Sequence, residues 1–291
     1  MKSRTVTDGT GAENSRLGTL YLVGTPIGNL EDITLRALRI LREVDLIACE
    51  DTRQTQKLLN HFQIQTRTTS YHEHNETRKA PELVLRLEQG ARIALVSDAG
   101  MPAISDPGFR LVQLTIERQI PVIPVPGPTA LVAAVVASGL PAHAFQFLGF
   151  APARRNLRRH FLQELGKYPA TSVFFEAPHR ITETLSDVLE ILGDRPTVIA
   201  REITKLHEEF LRGRCSEILH SLRTRPRLLG EMTVLVAGGQ QPHGSPPSSQ
   251  SLQERVDQLM QEQKLTRMDA LKVVAKERKI SKSQAYREYQ D

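Results

Sequence analysis

A chain of 291 residues exceeds the usual size of one domain, so two compact lobes with an appendage are the expectation. Its composition, 40% apolar and 24% charged, is that of a globular protein, and no apolar run is long enough to span a bilayer. The formal net charge of +5 suits a polyanionic partner without requiring one, and the two cysteines, Cys49 and Cys215, are too far apart for a zinc or disulfide framework.

The polar stretch from Met1 to Leu17 lacks the apolar core of a signal peptide. Residues 1–17 are therefore expected to be a disordered tail on a cytoplasmic protein. From there, short Val-, Ile- and Leu-rich runs at 20–23, 46–49, 93–97 and 121–125 predict strands. Amphipathic helices are predicted between them at 32–43, 52–62, 77–89 and 106–118, followed by an almost wholly apolar helix at 129–138. That alternation predicts a parallel-leaning α/β lobe over residues 18–138.

A second series has strands at 145–148, 172–176, 197–201, 209–212 and 233–237, with helices at 155–165, 180–192 and 215–222, and predicts a second α/β lobe over residues 139–238. Crowding of its last three strands predicts that part of this sheet is antiparallel. Residues 239–250, dense in Gly, Pro, Ser and Gln, predict a flexible linker. Residues 251–291 then predict a helical module: a helix at 252–260, a second to Lys279 with Thr266 and Asp269 as its capping box, and a last one capped by Ser281. Arg267, Lys272, Lys276, Arg278, Lys279, Lys282 and Arg287 make this module similar to an RNA-binding helix-turn-helix. A solvated helical hairpin is the alternative, because acidic residues offset much of the charge.

Three turns after predicted strands stand out. Gly24-Thr25-Pro26-Ile27-Gly28-Asn29-Leu30 precedes a helix for which Asp32 is the expected cap, and its glycines let main chain approach a ligand. It is neither a GxGxxG dinucleotide fingerprint nor a phosphate-binding GxxxxGK[ST] loop, so NAD and ATP lose their usual support. The segment from Ser97 to Gly108 packs two Asp, two Gly and two Pro into twelve positions at the end of an apolar strand, where α/β sheets bind ligands. Asp106 also suits a simple helix cap. Pro124 to Ala130 is a proline-stiffened turn into the apolar helix.

Charged runs follow two other strands, Cys49 to Arg53 and Arg201 to Glu209. Arg53, Arg201 and Lys205 are candidates to bind substrate phosphate or ribose, with mutually paired surface charges as the alternative. Arg154, Arg155, Arg158 and Arg159 form a basic cluster suited to a phosphate backbone. His72 and His74 have no cysteine or carboxylate partners at metal-binding spacing, so no metal site is expected. No GxSxG elbow supports a hydrolase.

In order, GTPIGNLEDIT, CEDTR, SDAGMPAISDPG, PVPGPTA, FFEAPHR and REITKLHEE resemble the motifs of the ribosomal RNA small-subunit methyltransferase I family, within the tetrapyrrole methylase superfamily. The resemblance covers about residues 18–238. It implies two α/β lobes with S-adenosylmethionine in the cleft between them, a cytoplasmic homodimer, and 2′-O-methylation of a decoding-centre cytidine in 16S rRNA of the small ribosomal subunit. By that resemblance Pro26 flanks the cofactor, and the cofactor loop is Ser97, Asp98, Ala99 and Gly100 through Ile104. Thr129 and Ala130 contact the cofactor, and Glu176 with the Thr233 region closes the pocket. Corrin and porphyrin methylases carry Gly-Asp-Pro where this chain has Ser97-Asp98-Ala99, a departure that favours RNA over a tetrapyrrole.

A ribose hydroxyl is a weak nucleophile, so a general base is expected, with Asp51, Asp106 and Glu208 as candidates. Arg53, Arg154, Arg155, Arg201 and Lys205 are the candidate substrate contacts. Two other readings stay open: a small-molecule methylase on the same fold, and a non-catalytic RNA-binding assembly factor.

Overall fold

The computed structural model describes residues 17–239, 251–263, 265–278 and 280–290. Apart from Leu17 and Gly239, the expected tail and linker lie outside the described residues, as does Lys279. The chain divides into two compact units, one up to residue 239 and one from residue 240.

The first unit opens with a five-stranded sheet of β1 (Thr19–Val23), β2 (Leu46–Cys49), β3 (Thr68–Ser70), β4 (Arg92–Val96) and β5 (Val122–Val125). Its order is β3-β2-β4-β1-β5, and every pair is parallel. Alternate residues along a strand face opposite sides. Ala94 and Val96 therefore join α1 (Leu35–Glu43) and α2 (Thr52–His61) in one core, while Ile93 and Leu95 join α3 (Glu76–Glu88) and α4 (Phe109–Glu117) in another. Burial on both faces explains why these strands are continuous apolar runs. The sequence does not signal β3, because Thr68–Ser70 is polar and short; backbone pairing with β2 makes it an edge strand.

Two expected helix starts move. Asp32 ends a 3-10 turn over Leu30–Asp32, and Thr34 caps α1 by accepting the Ala37 amide at 3.1 Å. Asp106 does not cap α4, whose N-cap is Gly108 with φ +149°, a backbone angle that glycine adopts readily and L residues rarely do.

The second sheet contains β6 (Phe145–Phe150), β7 (Thr171–Glu176), β8 (Pro196–Arg201), β9 (Glu209–Arg214) and β10 (Met232–Val236), in the order β6-β7-β10-β8-β9. Only β6 and β7 are parallel; β10 runs antiparallel to β7 and β8, and β9 to β8. Helices α6 (Arg155–Gly166), α7 (Ile181–Leu192) and α8 (Cys215–Arg223) cover one face around Phe174, Ile199 and Val234. The other face, with Val173, Val198 and Leu235, is covered by α5 (Ala130–Ser138) together with Ile27. The apolar helix that the sequence groups with the first lobe thus packs on the second sheet.

Three arginines of the cluster expected to face phosphate are paired with acidic residues of α7, and Arg158 among them is buried. Arg158 is 1% exposed and holds the equally buried Asp187 at 2.8 Å. Arg155 and Arg159 reach the same carboxylate at 3.3 and 3.4 Å, and Arg159 also grips Glu190. Acidic residues of α7 at i and i+3 neutralise the face of α6, leaving Arg154, the exposed N-cap of α6, outside this network.

In the second unit, α9 (Leu252–Gln263), α10 (Arg267–Glu277) and α11 (Lys282–Gln290) share a core of Leu252, Val256, Leu259, Leu271, Val274 and Ala285. Thr266 accepts the Asp269 amide at 3.3 Å, and Ser281 accepts the Gln284 amide at 3.2 Å. No helix among the described residues is long and apolar enough to cross a membrane.

Removing one partner of a buried ion pair leaves an uncompensated charge, at a cost of about 3 kcal/mol or more. Asp187→Ala is expected to lower Tm by roughly 6–12 °C. Adding Arg158→Met should restore most of the loss, as measured by thermal unfolding.

Candidate active site

After β1 the chain moves outward to β2 and β3, then returns to insert β4 between β2 and β1. The carboxyl ends of β1, β2 and β4 therefore lie side by side, the position where parallel sheets form ligand clefts. The loops leaving β1 and β4 are tied to each other. The Thr25 amide donates to the Gly100 carbonyl at 2.9 Å, and the Gly100 amide returns a bond to Thr25 at 3.0 Å. The buried Thr25 hydroxyl donates to the Ser97 carbonyl at 3.1 Å. The turn after β5 closes onto the same point, since a Cβ on Gly24 would come 2.8 Å from the Gly127 Cα. Only glycine permits that approach.

The turns after β1 and β4 wall a cavity of about 450 Å³. Its lining comes from Thr25 to Gly28 and Leu30, Gln54, Thr55, Lys57 and Leu58 of α2, Ser97 to Ala99, and Lys205 with Glu231 from loops of the second lobe. The size falls within the range of small-molecule sites. The β8–β9 loop reaches it from the other lobe. The Thr204 hydroxyl donates to Asp32 at 2.5 Å, and the Lys205 stem packs directly on Gly28 while its ammonium donates to Glu202 and Glu231 at 3.0 and 3.2 Å. Burial alone would depress Lys205, but these carboxylates outweigh it and leave its pKa raised. Backbone strain collects around the cavity: Ala103, Ser105, Glu202 and Thr204, four of the six non-glycine residues with positive φ among those described, lie in these two loops.

The sequence-derived candidates separate by position. Pro26, Ser97, Asp98, Ala99 and Lys205 line the cavity, and Gly100 forms the bridge behind it. Thr129 uses its hydroxyl to cap α5, Ala130 begins that helix against the second sheet, and Ile104 is exposed outside the lining. Thr233 is buried in β10 between Phe175 and Ala200. Glu176 lies on the face of β7 that looks toward α7, where it takes the Thr184 hydroxyl at 2.5 Å and Arg180 at 2.6 Å, and it does not reach the cavity. Arg201 is held by Glu209 at 3.1 Å, Arg155 by Asp187, and Arg53 by Asp51.

Gln54, Lys57, Leu58, Thr55 and Glu231 were missed. The helical spacing of the first three after CEDTR is the signal that identifies an inner face of α2. Glu231 sits in the turn before β10, and nothing local distinguishes it.

The three candidate bases have different surroundings. The Arg53 side chain and amide hold Asp51 below the usual carboxylate range. Glu208 accepts the Thr204 amide at 2.6 Å and so caps its own loop. Burial, then the charge of Glu50, pushes Asp106 up to about 6, against partial relief from the Ser97 hydroxyl. Burial also raises Glu50 and Asp98, although Asp98 accepts the Asp51 amide at 3.1 Å. Among the described residues no group of three His, Cys, Asp or Glu is arranged to hold a metal ion.

Comparison with known proteins agrees with this architecture. The family described as Tetrapyrrole (Corrin/Porphyrin) Methylases matches residues 19–219. A Halalkalibacterium halodurans protein named Ribosomal RNA small subunit methyltransferase I is 55% identical over 221 residues, 76% of each chain. The chain belongs to that family of tetrapyrrole methylases. The methylase is also 44% identical over 279 residues to a Streptococcus pyogenes serotype M1 protein of the same name, covering 94% of this chain and 95% of the relative. The uroporphyrin III C-methyl transferase from Thermus thermophilus shares the fold of the methylase, with a TM-score of 0.52 at 21% identity over 76% of this chain and 98% of that one.

The raised Asp106 has a definite signature in stability. At pH below about 4 the carboxyl is protonated in both folded and unfolded chains and has no effect on the balance. Between about 4 and 6 the unfolded chain ionises first, so stability falls as pH rises and stays reduced above 6. Asp106→Asn is expected to raise Tm at pH 8 and to lose that advantage at pH 4, as read by thermal melts at the two values.

Proposed function

We propose that this methyltransferase transfers a methyl group from S-adenosylmethionine to the ribose 2′-oxygen of a decoding-centre cytidine in 16S rRNA of the small ribosomal subunit. The observation that carries the reading is 44–55% identity, across most of the chain, to proteins named for small-subunit ribosomal RNA methylation.

The cavity fits the cofactor in size, and its walls are backbone turns with a carboxylate, Asp98, at the edge. Pro26, Ser97, Asp98, Ala99 and Gly100 would hold it, with Thr129, Ala130 and the Thr233 region flanking. When bound, S-adenosylmethionine supplies an electrophilic methyl carbon on a sulfonium. The chain's own work is to hold the acceptor oxygen in line with that carbon, to exclude water, and to take the hydroxyl proton. Asp106 is the proton acceptor in this reading, because Asp51 and Glu208 are engaged elsewhere while Asp106 lacks an ion-pair partner among the described residues. Lys205 and Arg53 exchange their present carboxylate partners for RNA phosphate.

The helical unit at 251–290 serves as an RNA-binding module, and the enzyme works in the cytoplasm as a homodimer. Exposed Val132 and Val136 on α5, with Phe145 and Phe150 on edge strand β6, offer the apolar face for a second copy. Ser97-Asp98-Ala99 in place of Gly-Asp-Pro favours RNA over a tetrapyrrole acceptor.

Small subunits from cells lacking the gene should accept tritiated methyl from the purified enzyme, and nuclease mapping should place the label on a cytidine ribose. Label on a base, or on a porphyrinoid and no RNA, overturns the reading. Asp106→Asn is expected to slow turnover by about a hundredfold or more. The native enzyme's rate should rise through pH 6 as Asp106 ionises, and the variant should lack that limb. A variant with native turnover would remove Asp106 from the role.

A further inference from the structure

Outside the cavity, α2 presents a second concavity of about 530 Å³, bordered by Thr52, Arg53, Gln56, Lys57, Asn60 and Thr68. The four long side chains of α2 recur at i, i+3, i+4 and i+7, so they form one stripe of roughly 10 Å along the helix. Its lining contains two cations, amides and hydroxyls, with no carboxylate and no aromatic ring. That chemistry disfavours a cationic partner, offers no aromatic platform for bases, and suits an anionic, sequence-neutral backbone.

Lys57 occupies the junction, bordering both this groove and the cavity. Its ammonium donates to the neutral Gln54 amide at 3.0 Å, and no described carboxylate lies within ion-pair reach. Lys205, Arg155, Arg159 and Arg201 are by contrast all paired with carboxylates. At the amino end of the stripe, Arg53 already neutralises Asp51, and with 87% of its side chain exposed that pair is weak enough to open toward a phosphate.

We propose that the α2 stripe is the track for the RNA backbone beside the methylated nucleotide, with Lys57 holding the phosphate where the strand turns into the cavity. This inference rests on RNA being the acceptor. The stripe is a site of phosphodiester binding rather than of base recognition. It positions the strand, and the chemistry stays with the cavity.

The test uses the full chain and small subunits lacking the modification. Lys57→Gln, at an exposed position on α2, is expected to raise KM for subunits about fivefold, the upper range for one exposed ion pair. The slope of log affinity against log salt should shrink by one contact, roughly 0.7 to 0.9. Lys57→Arg should recover most of the loss, and affinity for S-adenosylmethionine, read by calorimetry, should fall by less than affinity for subunits. If the native enzyme labels RNA while Lys57→Gln keeps native KM and salt slope, this inference falls and the acceptor reading stands. A loss of cofactor affinity in Lys57→Gln as large as the loss for subunits would assign Lys57 to the cofactor and overturn the track. Failure of the native enzyme to label any RNA overturns both.

Discussion

The cavity depends on the two-way backbone bridge between Thr25 and Gly100. Those bonds join loops that are 75 residues apart in sequence, and the Thr25 hydroxyl adds a third tie to the Ser97 carbonyl. Being buried, each bond would leave an unsatisfied polar group if broken, which is costlier than the net gain from forming it. The turn after β5 completes the arrangement only because Gly24 and Gly127 both lack a side chain. With three loops fixed in this way, Ser97 to Ala99 has little freedom left, and Ala103 and Ser105 follow with left-handed backbones.

The second lobe completes the cavity through the β8–β9 loop, with Glu231 from the turn before β10 beside it. Buried Ile203 anchors the loop in the apolar layer that α5 forms against the second sheet, and Thr204 and Lys205 then reach Asp32 and Gly28 across the boundary. The wall of the cavity is thus built from both lobes, and α5 joins them. An apolar helix that follows β5 in sequence belongs in packing to the second sheet, which explains why it shows no polar face of its own.

Charge is distributed to a pattern that the net value conceals. Many cations of the second lobe are already matched: Arg158 and its neighbours by Asp187 and Glu190, Arg201 by Glu209, Lys205 by Glu202 and Glu231. Acidic groups at the carboxyl ends of β2 and β4, namely Glu50, Asp98 and Asp106, crowd one another and burial raises all three. A cation bordering the cavity without a carboxylate partner, Lys57, and a carboxylate driven toward neutrality, Asp106, therefore stand out against a background of satisfied pairs.

The sequence by itself determined the two α/β layers, most element positions within a few residues, and the turns that wall the cavity. Those features are encoded locally, in apolar period, in Thr and Ser caps such as Thr266 and Ser281, and in clusters of Gly and Pro. Edge strand β3 escaped because polar Thr68–Ser70 has no apolar period, and becomes a strand only through pairing with β2. What the tertiary structure decided is which charged residues are available. Arg154, Arg155, Arg158 and Arg159 look alike in sequence, yet α7 supplies Asp187 and Glu190 to absorb three of them. Glu176 likewise looks like a cavity residue until the alternation of β7 turns it toward Thr184. Pairing across distant segments sets charge, burial and the facing of a strand, and no local pattern records which partner the fold will bring.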